Sequence, residues 1–66
     1  MKYPDEHWER VAKRYTLEMK RIHPTDLVGG KTMETVAVAR TQDHFPHVTK
    51  GTVAAWVRKC REKGLL

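Results

Sequence analysis

Val48-Thr49-Lys50-Gly51-Thr52-Val53-Ala54-Ala55-Trp56-Val57-Arg58-Lys59-Cys60-Arg61-Glu62-Lys63-Gly64-Leu65-Leu66 reads as one amphipathic helix with a marked start and a marked stop. Val53, Trp56, Val57 and Cys60 recur at the i, i+3, i+4, i+7 spacing that puts side chains on one stripe of a helix, so this stripe faces a core. Thr49 stands where an N-cap belongs, its hydroxyl able to accept a bond from an orphan backbone N–H, and Gly64 where a left-handed residue closes a helix. The helix is expected over about residues 50–63. Its other side offers Lys50, Ala54, Ala55, Arg58, Arg61 and Lys63, a surface that is basic and otherwise small.

Working outward, the 66 residues carry 13 Lys and Arg against 8 Asp and Glu, a formal charge of +5. The excess is uneven: residues 1–23 hold six basic and four acidic side chains, residues 24–46 two and three, residues 47–66 five and one. The last segment therefore holds most of it, which favours a polyanionic partner. A chain this short buries only about 60% of the surface its unfolded form exposes, so one domain over 1–66 with one small core is expected. The single cysteine rules out an internal disulfide and points to a reducing compartment. No apolar run approaches the roughly 20 residues of a membrane span, and no apolar leader follows Met1, so a cytoplasmic, nucleoid-associated location with no membrane partner is expected. An end directly after a helix cap reads as a fragment of something longer.

Upstream, Pro4 with Asp5, Glu6 and Glu9 opens a first helix, because proline tolerates the first turn and carboxylates complement the positive end of the dipole. It should run over about 5–21, with Trp8, Val11, Ala12, Tyr15, Met19 and Ile22 on one stripe. Arg10, Lys13, Arg14, Lys20 and Arg21 lie away from it, read as a solvated face with i,i+4 pairs such as Glu6 to Arg10 and Glu9 to Lys13. Phosphate contact is the alternative for them. His23-Pro24 ends the helix. Leu27-Val28-Gly29-Gly30-Lys31 reads as a connector with Leu27 or Val28 against the core, since the earlier glycine and apolar strand of a phosphate loop are absent. Thr32 caps a second helix over about 33–43, with Met33, Val36, Ala37 and Arg40 sharing a side and Val38 off it. Pro46 forbids continuation, and Phe45 and Val48 are suited to plug the gap before the last helix. With no period-2 segment or repeat, the class is all-α with three helices.

Val48-Thr49-Lys50-Gly51-Thr52-Val53-Ala54-Ala55-Trp56-Val57 resembles the turn and recognition helix of helix-turn-helix DNA-binding domains of bacterial or bacteriophage regulators. The pattern is an apolar residue, a Ser or Thr cap, two variable residues, Thr, an apolar residue, two variable residues and a large apolar residue. Arg61-Glu62-Lys63-Gly64-Leu65-Leu66 is similar to the helix end of winged relatives, where Gly-Leu leads into a wing. The resemblance covers about 32–66 and implies a three-helix helix-turn-helix domain with the wing truncated or absent. It further implies that Val53 and Trp56 are core contacts, that Ala39 is the small residue on which the last helix packs, and that Thr49, Lys50, Gly51, Ala54, Ala55 and Arg58 face double-stranded DNA.

The chemistry assigns roles to these side chains. Arg58, long and forked, suits a bidentate guanine contact, worth roughly 1–3 kcal/mol of discrimination. Lys50, Lys59 and Arg61 suit phosphates, as does a hydroxyl of Thr49 or Thr52. Ala54 and Ala55 permit close approach and can touch a thymine methyl, and Gly51, which costs up to about 1 kcal/mol of helix propensity, lets backbone come near a phosphate. Trp8 and Trp56 belong to a core and Cys60 is an inert buried thiol. His44 and His47 have the spacing of two metal ligands, but no second close pair of Cys or His completes a tetrahedral site, so neither metal nor cofactor is expected. A helical chain of this length has little concavity for a substrate, so an enzyme is not expected either. The expected function is sequence-specific duplex binding in transcriptional or phage and mobile-element regulation, with a homodimer or a larger parent protein as further partners. The alternative is a small helical protein-protein interaction module, such as a phage-encoded inhibitor or adaptor. RNA ranks third, for want of exposed aromatics.

Overall fold

The computed structural model describes residues 3–66, and among them every regular element is helical. Helix α1 spans Asp5–Arg21, α2 Met33–Gln42 and α3 Lys50–Glu62, with two single 3₁₀ turns, Pro24–Asp26 and Val28–Gly30, between α1 and α2. Each long helix packs against the other two. Their shared core is Val11, Ala12 and Tyr15 of α1, Ala37 and Val38 of α2, Val53, Trp56, Val57 and Cys60 of α3, and Phe45 between the last two helices.

Local chemistry sets the helix ends. Pro4 precedes α1 in extended conformation with Asp5 and Glu6 in the first turn, and the Pro4 carbonyl accepts from the His7 amide at 3.0 Å. Ile22 and His23 are extended, as a chain entering Pro24 must be. Asp26 then folds the turn back by accepting the His23 amide at 2.9 Å, and its carboxylate also meets Arg40 of α2 at 3.1 Å. Gly29 and Gly30 both take positive φ, at 74° and 78°, which redirects the chain into α2. Thr32 caps α2 by accepting the Thr35 amide, and Thr49 caps α3 by accepting that of Thr52, each at 3.2 Å. Gly64, at φ 78°, closes α3: its amide reaches the Arg61 carbonyl and that of Leu65 the Cys60 carbonyl, the paired bonds of a Schellman motif.

One expectation is corrected. Of the side expected to face inward, Met33, Val36, Ala37 and Arg40, helix α2 fully buries only Ala37, and it buries Val38 and Thr41 besides; Met33 is 41% exposed and Arg40 is turned to Asp26. Because α1 and α3 both cross α2, the buried arc is the one facing between them, and it takes in a threonine that apolar spacing passes over. Thr41 is fully buried with its hydroxyl unpartnered among the described residues, a cost of about 1–3 kcal/mol. In the connector, Leu27 is half-buried while Val28 is 73% exposed. Glu18, which nothing in the spacing marks as internal, is also buried, with Arg21 at 3.5 Å.

Candidate nucleic-acid interface

Helix α3 is held from beneath by aromatic packing. The Trp56 ring lies edge-on to His7 at 4.4 Å, Tyr3 at 5.4 Å and Phe45 at 5.5 Å between centroids. Burial, with Arg10 and His47 adding to it, lowers the His7 pKa from its ordinary 6.5, and its Nε2 is buried without a hydrogen-bond partner among the described residues. The Cys60 thiol donates to the Trp8 carbonyl at 3.3 Å, and burial pushes its pKa up, which leaves an unreactive thiol. At the other end of the turn, Gln42 Nε2 donates to the Val48 carbonyl at 2.9 Å, tying the end of α2 to the start of α3 across the seven residues between them.

With Val53, Trp56, Val57 and Cys60 inside, the helical repeat turns Gly51, Ala55, Arg58 and Glu62 to the opposite side, and all four are exposed. Lys59 flanks this arc and Lys50, in the first turn, stands at the edge nearer α2; both are exposed, and among the described residues Lys50, Arg58 and Lys59 enter none of the ion pairs. Thr49 and Thr52 spend part of their hydrogen-bonding capacity on the cap: their hydroxyl oxygens are 3.1 Å apart, so one proton is shared between them and one is free to point outward. Gly51 faces open space, where a Cβ would meet only Thr49 Oγ1 at 3.8 Å. The α3 carboxylate Glu62 stands one turn beyond Arg58.

Two expected contact residues, and Lys63 of the basic side, sit differently from the rest. Ala54 is half-buried and packs on the core. Arg61 turns toward α2 and pairs with Glu34 at 3.5 Å; both side chains are more than half exposed, so the pair contributes only about 0–1 kcal/mol. Beneath it lies Tyr15, whose pKa is raised by burial and by Glu34 and opposed by Arg61. Lys63 leaves the outer face, its Nζ lying 5.8 Å from the Trp8 ring centroid. On the α2 side of α3 a groove of about 650 Å³ runs past Lys50, Gly51 and Ala54 on one wall and Glu34, Val38 and Ala39 on the other. Lys31 and Arg40 also border it, cations that the spacing of the last helix gives no means of locating.

His44 and His47 are both exposed, and among the described residues no three His, Cys, Asp or Glu side chains gather as metal ligands would. Among the described residues, no helix is long and apolar enough to cross a membrane. In comparisons with family models, curated proteins and solved structures, nothing matches this chain.

Proposed function

We propose that this protein is a sequence-specific double-stranded DNA-binding module in which α2 and α3 act as a helix-turn-helix pair, serving transcriptional or phage and mobile-element regulation. The observation that carries the reading is the outer face of α3, where Arg58 and Lys59 stand exposed beside the small residues Gly51 and Ala55, with Lys50 exposed at its α2 edge and none of the three in an ion pair among the described residues. A helix with slight side chains fits the major groove, about 12 Å wide, while cations at its edges meet phosphates. Arg58 reads a base edge; Lys50, Lys59 and a free Thr49 or Thr52 hydroxyl hold the backbone; Arg61 joins them by exchanging Glu34 for a phosphate. Ala54 serves the packing of α3 more than the groove.

A fluorescence-anisotropy titration with a mixed-sequence duplex pool tests it. Affinity should fall steeply with salt, with a log–log slope near −0.9 per neutralised phosphate. Arg58→Ala should relax base preference, at a cost of roughly 1–3 kcal/mol on the preferred sequence, whereas Lys59→Ala should weaken all sequences alike. Absence of duplex binding at about 50 mM salt removes the proposal. The second reading, a protein-docking module, is favoured by the groove between α2 and α3, whose mixed lining of Val38, Ala39 and Ala54 with Lys50 and Glu34 suits a peptide. A partner recovered from nuclease-treated extract, and lost with Ala54→Glu, would support it.

A further inference from the structure

Helix α1 carries a second basic surface with a different aspect. The expected pairs from Glu6 to Arg10 and Glu9 to Lys13 are not formed, and Glu18, one turn beyond Arg14, is engaged by Arg21 instead. Among the described residues, Arg10, Lys13 and Arg14 are in no ion pair. They do not simply point into open solvent. Together with His44 they line a groove of about 270 Å³ between α1 and the α2–α3 connection, floored by Leu17 and Phe45, and no carboxylate lines it. Like charges brought together without counter-charges raise the local potential, and their mutual repulsion is relieved by an anion.

The direction of this groove sets its use. Helix α1 meets α3 through Trp8, whose carbonyl accepts a hydrogen bond from the Cys60 thiol, and through Ala12 one turn on. Arg10 and Arg14 stand about 120–160° around the helix axis from those two residues, at 3.6 residues per turn. Arg10 and Arg14 therefore face largely away from α3, whose own outer face turns away from α1.

We infer that Arg10, Lys13, Arg14 and His44 form a second phosphate-binding surface that takes the backbone of a second DNA duplex, so that one molecule holds two duplex segments. The inference rests on the reading of α3 as a duplex-binding helix. Arg10 to Arg14 spans about 6 Å of helix, and a duplex presents one charge per about 1.7 Å of its axis, so several phosphates fall within reach of this row. Arg10, Lys13 and Arg14 are donors only, which matches the acceptor oxygens of a phosphate backbone, and the Phe45 ring beside them is buried and not free to stack on a base. The surface therefore holds backbone without reading sequence. A lipid surface would call for protruding apolar side chains, and here Leu17 alone is exposed.

The test immobilises the wild-type protein's preferred duplex, adds protein, and measures capture of a second, fluorescent duplex of unrelated sequence. Wild type should capture it, and three neutralised phosphates predict capture about 40-fold weaker at 200 mM than at 50 mM salt. Arg10→Gln/Arg14→Gln, checked for an unchanged thermal melt, should lower capture by about tenfold or more while shifting anisotropy on a single preferred duplex less than about twofold. Lys13→Gln alone should give a smaller loss of the same kind. No capture by wild type, or undiminished capture by the double variant, overturns the inference; the second result would assign bridging to paired molecules each using α3. Equal loss of single-duplex binding and capture overturns it too, since both surfaces would then serve one duplex. Failure of the α3 reading looks different: Arg58→Ala and Lys59→Ala would leave single-duplex binding intact.

Discussion

At the scale of single residues, Gly51 separates stability from binding. Its backbone is of a kind any L residue adopts, and a Cβ there would make only an ordinary contact with Thr49 Oγ1. Gly51→Ala should therefore stabilise the protein by up to about 1 kcal/mol. If the glycine is there to let the backbone approach a phosphate, the same variant binds duplex more weakly; a more stable variant with unchanged affinity would remove that role. His7 makes a second prediction. Its pKa is lowered in the folded protein from 6.5, so between the two values the unfolded chain binds more protons and stability rises with pH. The contribution is fully present above the unfolded value and is lost as pH falls through it toward the lower folded one. Melting temperature should drop between about pH 7 and pH 5, and His7→Phe should flatten that drop. The Asp26 pKa is lowered from 3.8, so its own loss comes in a more acidic window and does not confuse the reading.

At the scale of elements, α3 depends on its first turn. The Thr49 cap satisfies the Thr52 amide, and Lys50, Gly51 and Thr52 all lie within the turn that it holds. Thr49→Ala should cost about 1 kcal/mol and also weaken duplex binding, because a frayed turn presents Lys50 and the Gly51 backbone less often. Thermal melting and anisotropy on one preparation check both, and a loss of stability without loss of affinity would exclude the first turn from the contact. The ends of the helices were legible beforehand because they are local matters: a hydroxyl three residues from an amide, a proline, a left-handed glycine. The inner face of α1 was legible except for Glu18, and that of α3 was legible whole, since each buries an apolar stripe. The inner face of α2 was not. It is ten residues long, its buried side includes Thr41, and its apolar residues lie all round it, so spacing alone pointed to Met33 and Val36 while packing chose Val38.

At the scale of the whole molecule, everything rests on one core that Trp56 does much to fill. A single small core rarely supplies more than about 3–5 kcal/mol, and truncating a buried tryptophan costs about the same. Trp56→Ala should therefore leave the chain largely unfolded at room temperature, visible as lost far-UV ellipticity; a cooperative melt in that variant would show that the core is less dependent on α3 than its packing implies. The same smallness explains the division between what the residues announce and what they conceal. The number of helices, their caps and the outward turn of Arg58 follow from interactions reaching no farther than a turn or two, and such interactions are written in adjacent letters. The ion pair of Arg61 with Glu34, the placing of Lys63 over Trp8 and the gathering of Arg10, Lys13 and Arg14 against His44 join residues about 27 to 55 positions apart, or reflect partners that a helix could have used and did not. Those arise only when three helices close on one another, because the angle at which they cross decides which charges meet and which are left facing water.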